Sequence, residues 1–220
     1  SFCRSPTQPR SVLSTSTPIQ RVASIVKLPC KHSQSPIMPD SIIFSPGPYH
    51  IISYGALLGT TFFHSFVNGI TMFRVLERPA FSAAQNALFP VYFTIQTALP
   101  AVLALTYPGS RSLLGEHAGS ISGLLQESNR YSALLPIATM FVTGLVNLVV
   151  VLPKTVTVMK ARYAQERKDG KKSYDPAPHS QEMQALNKSF GKLHGISTLI
   201  NLAGFIAMIQ YGFSLAARLD

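Results

Sequence analysis

Residues 64–93 read HSFVNGITMFRVLERPAFSAAQNALFPVYF, and the distribution of charge in this stretch indicates the fold. An apolar run without charge ends at Arg74, and a short turn that contains Glu77 and Arg78 follows it. A second apolar run begins near Leu88. Because charged side chains are costly in hydrocarbon, a charged turn between two long apolar runs predicts a helical hairpin that leaves a bilayer and re-enters it.

The composition of the whole chain is also typical of a membrane protein. The 220 residues are 46% hydrophobic and only 13% charged, with a mean hydropathy of +0.22, whereas soluble domains are about 25% charged. A helix needs about 20 apolar residues to cross hydrocarbon. We therefore predict an all-α polytopic membrane protein, a four-transmembrane-helix bundle within residues 49–217. The predicted spans are at about 50–73, 88–107, 131–153 and 191–216.

The first 48 residues have a different composition. Up to residue 37 they contain five basic side chains and no acidic one, and Ser and Pro are abundant. Because such a segment buries too little apolar surface to fold alone, we predict that it is disordered. Two further interpretations stay open, a mitochondrial transit peptide and an untranslated extension upstream of Met38. Both cysteines, Cys3 and Cys30, lie here, so the sequence predicts no disulfide framework.

The basic residues predict the orientation in the membrane. With four spans, the loops at 74–78 and 154–192 lie on one side and both termini lie on the other. The two loops hold eleven Lys and Arg, against three on the opposite side counted from Met38, or eight if the N-terminal segment is included. The positive-inside rule places the loops in the cytosol. Since these charges flank apolar spans, we expect anionic lipids at 154–192 as partners, and no nucleic acid.

Polar side chains recur inside the predicted spans at helical spacing, and we expect them to face the bundle interior because lipid does not solvate them. They line a pathway for a small solute, or they join the helices by hydrogen bonds. Haem between the two histidines is disfavoured, since one lies near mid-span and the other near a membrane surface. The candidate residues are His64 and Asn68 in the first span, Thr143 and Asn147 in the third, and His194 and Asn201 in the fourth.

Other positions predict packing and the membrane boundary. Arg74 and Arg78 are expected to anchor the protein to lipid phosphates. An aromatic cluster at the start of the second span is expected at the water–lipid boundary, after a short interfacial helix at 80–87. Glycine pairs four residues apart are expected where helices approach closely. The cluster is Phe89, Tyr92 and Phe93, and the pairs are Gly55 with Gly59 and Gly191 with Gly195.

The sequence contains no nucleophile–base pair, phosphate-binding loop or metal-ligand motif that we can recognise. We therefore predict no catalytic, cofactor-binding or metal-binding residues, and no enzyme activity.

Three stretches, within residues 66–93, 147–155 and 190–202, resemble the transmembrane protein 205-like family, eukaryotic proteins with a domain of unknown function. The resemblance implies four spans and offers no catalytic residue or cofactor to carry over. Some members are associated with resistance to metal-containing drugs and with vesicle membranes. This chain departs in having no tryptophan, an added N-terminal segment and a long loop at 108–130. The matching positions are Phe66, Val67, Gly69, Phe73, Arg74, Leu76, Arg78, Phe81, Gln85, Leu88, Phe89, Pro90, Tyr92 and Phe93, then Asn147, Pro153 and Thr155, then Phe190, His194, Gly195, Ser197, Asn201 and Leu202.

Two functions follow as expectations. The first is a multi-pass membrane protein with a structural or interaction role, in an endomembrane or the plasma membrane, with a mitochondrial membrane as the alternative. The second is a transporter of small solutes or metal complexes that acts as a homo-oligomer. A hydrated interior would favour the transporter, and a filled interior would favour the structural role.

Overall fold

The computed structural model describes residues 45–108, 111–112, 115–116 and 120–218, and nearly all of them are helical. The α-helices are α1 (Pro46–Phe62), α2 (Gly69–Val75), α3 (Arg78–Leu105), α4 (Ser120–Leu124), α5 (Leu135–Val146), α6 (Leu152–Asp169) and α7 (Gln181–Ala216). Three π-helical segments, Phe63–Asn68, Arg130–Leu134 and Asn147–Val151, and one 3-10 turn, Glu127–Asn129, join or precede these helices. Two short strands, β1 (Arg111–Ser112) and β2 (Gly115–Glu116), pair antiparallel after α3.

These elements form four long helices. The first covers residues 46–75, because the π-helical segment joins α1 to α2 without a break in the helical backbone angles. The second is α3, the third is Glu127–Asp169, and the fourth is α7. His50 at the start of the first long helix bonds Thr106 at the end of the second, and Ser82 at the start of the second bonds Tyr163 near the end of the third. Gln210 near the end of the fourth bonds the Tyr131 carbonyl at the start of the third, so neighbouring helices run antiparallel.

Three of the four long helices are long and apolar enough to cross a membrane, by length and composition. They are Arg78–Leu105, Glu127–Asp169 and Gln181–Ala216. The first long helix is not among them, although it carries no charge before Arg74, because Ser, Thr, Gly, Asn and His interrupt its apolar residues. The all-α fold class is thus confirmed, with three helices that could span a membrane by length and composition, and the crossing of the first long helix stays a prediction.

The helix boundaries differ from the prediction in three places. No separate interfacial helix exists at 80–87, because α3 runs unbroken from Arg78 with Pro79 in its first turn, where a missing N–H costs nothing. Likewise α1 begins at Pro46, inside the segment predicted to be disordered; the rest of that prediction, residues 1–44, lies outside the described residues. Helix α7 begins ten residues before the predicted span, where the Ser180 hydroxyl caps the backbone N–H of Met183 at 3.2 Å.

The apolar core lies toward the end of the bundle that holds the loop after α3. Its members are Leu57, Leu103, Tyr107, Leu124, Ala133, Ile137, Met140, Ala207, Met208, Tyr211 and Leu215. The helix contacts that surround this core pair α1 with α3, α3 with α5, and α5 with α7. At the other end of the bundle, α6 and α7 continue as a hairpin beyond the predicted ends of the spans.

Candidate functional site

A connected group of polar side chains lies near the middle of the first, second and fourth long helices. We call it the polar network, and its members are Thr61, Ser65, Tyr92, Gln96 and Asn201. The amide oxygen of Asn201 accepts hydrogen bonds from the Tyr92 hydroxyl at 2.9 Å and from the Gln96 amide at 2.7 Å. The Asn201 amide nitrogen donates to the Ser65 hydroxyl at 2.8 Å. One side chain of α7 therefore joins two other helices.

Gln96 and Tyr92 complete the network. The Gln96 amide nitrogen also lies 2.9 Å from the Tyr92 oxygen and 3.3 Å from the Thr61 hydroxyl. Since Tyr92 gives its proton to Asn201, Ser65 is the donor in its 3.2 Å bond to the Tyr92 oxygen. Thr61 is fully buried and Gln96 is 3% exposed. The network thus satisfies polar groups that would otherwise be costly inside the bundle.

Local helix geometry brings these residues together. Tyr92 and Gln96 are four residues apart on α3 and share one face. Ser65 lies in a π-helical segment, and Asn147 begins another. A π-helical turn adds a residue to the helix and rotates the side chains that follow it, and such turns are frequent at functional sites.

Asn147 joins the third long helix to the fourth. It is fully buried, and its amide oxygen accepts a hydrogen bond from the Ser197 hydroxyl at 3.0 Å. Its amide nitrogen lies 3.5 Å from the Ser197 carbonyl oxygen. Ser197 lies four residues before Asn201 on the same face of α7, so this pair continues the line of interhelical bonds along that helix.

His64 and Asn68 lie beside the polar network, and both are half-buried. The His64 ring lies over the Tyr92 ring with the centroids 4.3 Å apart. The Asn68 amide lies 3.1 Å from Nδ1 of His64, so that nitrogen accepts and the proton of the neutral ring is on Nε2. The interaction is within one turn of one helix, so these two residues flank the network without joining helices by hydrogen bonds.

Thr143 contributes packing. Its hydroxyl donates to the carbonyl oxygens of Thr139 and Met140 in its own helix. It faces Gly204, where an added Cβ would lie 2.6 Å from the Thr143 hydroxyl oxygen. Gly204 therefore lets Thr143 fit between α5 and α7, and Thr143 is half-buried there without a side-chain bond to another helix.

Gly144 lies where the backbones of α3 and α5 approach closely. A Cβ at this position would lie 2.6 Å from the carbonyl oxygen of Gln96. That carbonyl lies four residues before Pro100, which has no N–H to bond to it. The Cα of Gly144 therefore packs against a carbonyl that lacks its helical partner, the geometry in which Cα–H···O contacts form between helices.

The two predicted glycine pairs do not make such contacts. Added Cβ atoms at Gly55, Gly59, Gly191 and Gly195 would meet no atom within 4 Å. Gly55, Gly59 and both α7 glycines lie on exposed faces. Spacing alone identified candidates for close packing, but helix rotation turns these four away from the rest of the chain.

His194 is a correction to the predicted interior set, because it is exposed. Its ring stacks on Phe190 of the same helix, with the planes 8° apart. The inward seam of α7 passes through Leu193 and Ser197, and His194 is one residue, about 100°, around the helix from Leu193. Tyr92 and Phe93 are a second correction: each is 4% exposed, so they pack in the bundle interior and do not form a boundary belt.

A second polar cluster, which the sequence did not reveal, lies at the end of the bundle near the loop after α3. His50 is fully buried between Thr106 and Tyr211. The Thr106 hydroxyl donates to the Val102 carbonyl at 2.7 Å, so it accepts from Nδ1–H of His50 at 3.1 Å. Nε2 then accepts from the Tyr211 hydroxyl at 2.5 Å. The bonds fix one neutral tautomer and join three helices.

Arg74 and Arg78, the predicted lipid anchors, are both exposed at the turn between α2 and α3. The Arg78 guanidinium lies 3.8 Å from the centre of the Phe73 ring, a cation–π contact across the turn. Ser82, one turn into α3, bonds the Tyr163 hydroxyl at 2.7 Å, which brings the turn to the level of the α6–α7 hairpin.

Sequence reasoning missed Thr61, Ser65, Gln96 and His50, and it placed Tyr92 at the membrane boundary. Gln96 carried the clearest signal, since it is a long amide inside an apolar span and lies one helical turn from a tyrosine. The network contains amides and hydroxyls only, so it holds hydrogen bonds and no charge. Among the described residues, no group of three or more His, Cys, Asp or Glu side chains is placed to hold a metal ion.

Comparisons with known proteins identify relatives. Residues 52–164 match a family described as a domain of unknown function, DUF4149. A curated relative, "Xanthocillin biosynthesis cluster protein D" of Aspergillus fumigatus, is 32% identical over 172 residues, which cover 78% of this chain and 90% of the relative. No solved structure matches the chain. The narrower resemblance to the transmembrane protein 205-like family stays a prediction. On the match to more than half of its length, the chain belongs to the DUF4149 family.

Proposed function

We propose that this chain is a four-span integral membrane protein with a structural or interaction role. It acts as a scaffold that presents the basic hairpin, the part of α6 and α7 between residues 154 and 192 with the loop that joins them, at one membrane surface. The observation that carries the proposal is the polar network. It turns the hydrogen-bonding groups of the first long helix toward its neighbours. The proposal assigns no reaction and no cofactor.

The outer face of the first long helix supports its crossing the bilayer. Exposed apolar side chains extend along this face from Ile51 to Phe73, about six turns of helix, and the first charge is at Arg74. A helix with its polar groups bonded inward and apolar groups outward suits lipid even when its mean hydropathy is moderate. The exposed apolar residues are Ile51, Ile52, Phe62, Phe63, Phe66, Val67, Ile70 and Phe73.

The basic hairpin is the part of the proposed scaffold that would bind anionic lipids. Nine Lys and Arg lie between residues 154 and 192, and Arg74 and Arg78 lie at the same end of the bundle. Basic groups beside a span attract the anionic lipids of the cytosolic leaflet. We therefore propose an endomembrane or plasma-membrane location with this end in the cytosol, and a mitochondrial membrane as the alternative.

Topology is the direct test of this proposal. With Cys3 and Cys30 replaced by serine, a cysteine at exposed Tyr174 should react with an impermeant thiol reagent from the cytosolic side only. A cysteine at exposed Ser128, after α4, should react from the opposite side only.

A cysteine at Ser41, before α1, should also react only from the side opposite the cytosol, because the first long helix separates it from the turn at 74–78. Labelling of the Ser41 cysteine from the cytosolic side would contradict the crossing of the first long helix. Labelling of the other two cysteines from one side would contradict the crossing of the third long helix, and exchanged sides would contradict the orientation.

Transport of small solutes by an oligomer is the second candidate, and one observation favours it. His64 and Asn68 are half-buried beside the polar network, so a polar strip continues from the network toward the surface of the bundle. The buried network itself is filled by side chains that bond one another, which supports the structural role.

Flux measurements separate the two candidates. If transport is the function, His64→Leu and Asn147→Leu should each abolish uptake of small polar solutes by proteoliposomes, because they remove groups that a solute would contact. If the structural role is correct, wild-type and variant vesicles take up solutes at the rate of protein-free vesicles. A thermal unfolding measurement on each variant shows that the inserted protein is folded.

A further inference from the structure

A cavity of about 560 Å³ opens at the tip of the α6–α7 hairpin. Gly170 ends α6 in the left-handed region, with φ of 62°, and turns the chain back so that the next two lysines lie beside the last turn of the helix. The lining residues are Tyr163, Glu166, Arg167, Gly170, Lys171 and Lys172.

The charges of the lining do not cancel. Three cations and one carboxylate give a net charge of +2. The carboxylate, Glu166, is already occupied: it accepts the Ser173 backbone N–H at 3.0 Å and lies 3.7 Å from the Lys172 ammonium. Burial alone would raise the pKa of Glu166, but the Ser173 bonds and the nearby cations hold that pKa below its usual range. Glu166 is therefore a fixed anion paired with Lys172.

The two remaining cations have no anionic partner among the residues that the structure describes. Lys171 donates to a neutral group, the Pro178 carbonyl oxygen, at 2.8 Å. Within the described part of the chain, Arg167 has neither a hydrogen bond nor an ion pair, and it is exposed. The guanidinium of arginine can form two parallel hydrogen bonds to one anion, and the ammonium of lysine is a compact positive charge. Proteins commonly bind phosphate with both groups.

The ring of Tyr163 forms one wall of the cavity, and its position along α6 gives the distance of the cavity from the membrane. The Tyr163 hydroxyl bonds Ser82 at 2.7 Å, which holds its ring in place. Tyr163 is ten residues beyond Pro153, the predicted end of the third span, or about 15 Å along the helix. Polar headgroups extend only about 5–8 Å from the hydrocarbon on each side, so the phosphodiester of an ordinary phospholipid lies below the cavity.

We propose that this cavity binds a phosphomonoester, carried by an extended lipid headgroup or by a soluble metabolite. The inference deepens the proposed function by naming a ligand class for the basic hairpin, and it rests on that function only for the side of the membrane on which the cavity lies. Phosphomonoesters carry nearly two charges at neutral pH, which matches the two cations that have no anionic partner among the described residues.

The test compares two double variants that remove equal charge. Arg167→Gln with Lys171→Gln removes the two lining cations, and Lys160→Gln with Lys168→Gln removes two cations of the same helix outside the lining. Full-length protein in detergent is titrated with inositol 1,4-bisphosphate and with adenosine monophosphate. The lining variant should bind about tenfold or more weakly, and the control should stay within about twofold of wild type. If the lining double variant does not fold, Arg167→Gln alone gives the same comparison.

Vesicles distinguish the source of the phosphate. A preference for phosphatidylinositol 4-phosphate over phosphatidylserine at equal surface charge, lost in the lining variant, identifies a lipid headgroup. Binding of the soluble probes without that preference identifies a soluble phosphomonoester. Equal weakening in both double variants, or no binding of any probe, would overturn the proposal. The cysteine labelling described above is independent of these results, so a failure here leaves the four-span proposal standing.

Discussion

Replacing Gly144 by alanine is expected to lower the free energy of unfolding by about 1–3 kcal/mol, the cost of forcing an added methyl group into a tightly packed interface. The new Cβ would lie 2.6 Å from the Gln96 carbonyl oxygen and 2.8 Å from its carbonyl carbon. Backbone atoms cannot rotate away as a side chain can, so α3 and α5 must separate. Unfolding in mixed micelles, followed by circular dichroism during titration with sodium dodecyl sulfate, measures the change.

Two matched glycine substitutions show whether the effect comes from the contact. Gly59→Ala meets no atom within 4 Å, and alanine is the better helix former by about 1 kcal/mol, so stability should stay equal or rise. Gly204→Ala meets the Thr143 hydroxyl oxygen at 2.6 Å, a side-chain atom that can move, so its cost should be intermediate. Equal stability of all three variants would mean that α3 and α5 do not approach closely at Gly144.

This contact also shows what the sequence can and cannot predict. Long uncharged runs and charged turns predict the helices well, because the cost of charge in hydrocarbon is a property of each segment by itself. The contact at Gly144 depends on a carbonyl of another helix, freed by Pro100. Nothing in the local sequence of α5 records that pairing, whereas Gly55 with Gly59 has the expected spacing and no neighbour.

The residues of the candidate site were also predictable only in part from the sequence. Asn147 and Asn201 were expected in the interior, and the structure places Asn147 fully inside and Asn201 half-buried at a helix junction. The prediction for His194 is wrong by one residue along the helix, which corresponds to a rotation of about 100°. Periodicity does not locate the inward face of a helix more precisely than that. Tyr92 was misplaced because an amphipathic aromatic suits both the membrane boundary and a bonded interior position.

Replacing Asn201 by leucine should lower the free energy of unfolding by about 2 kcal/mol. The substitution removes three interhelical hydrogen bonds, and such bonds contribute about 0.6 kcal/mol each on average in a membrane protein. Leucine has the same branching and the same number of side-chain heavy atoms, so the main change is the loss of the Asn201 bonds to Ser65, Tyr92 and Gln96. The loss is limited because Tyr92 and Gln96 still bond each other at 2.9 Å. The same titration in mixed micelles measures the change.

Two leucine substitutions at exposed positions control for the loss of a polar group. Asn86→Leu makes the identical chemical change on an exposed face of α3, and His194→Leu removes the histidine that spacing had placed inside. Both should leave stability within about 0.5 kcal/mol of wild type, as surface changes usually do. A large loss at His194 would return that residue to the interior, and an unchanged Asn201→Leu protein would mean that apolar packing alone holds α7 against the first and second long helices. The expected order, with Asn201 well above both controls, follows because Asn201, unlike the two control residues, bonds side chains on two other helices at once.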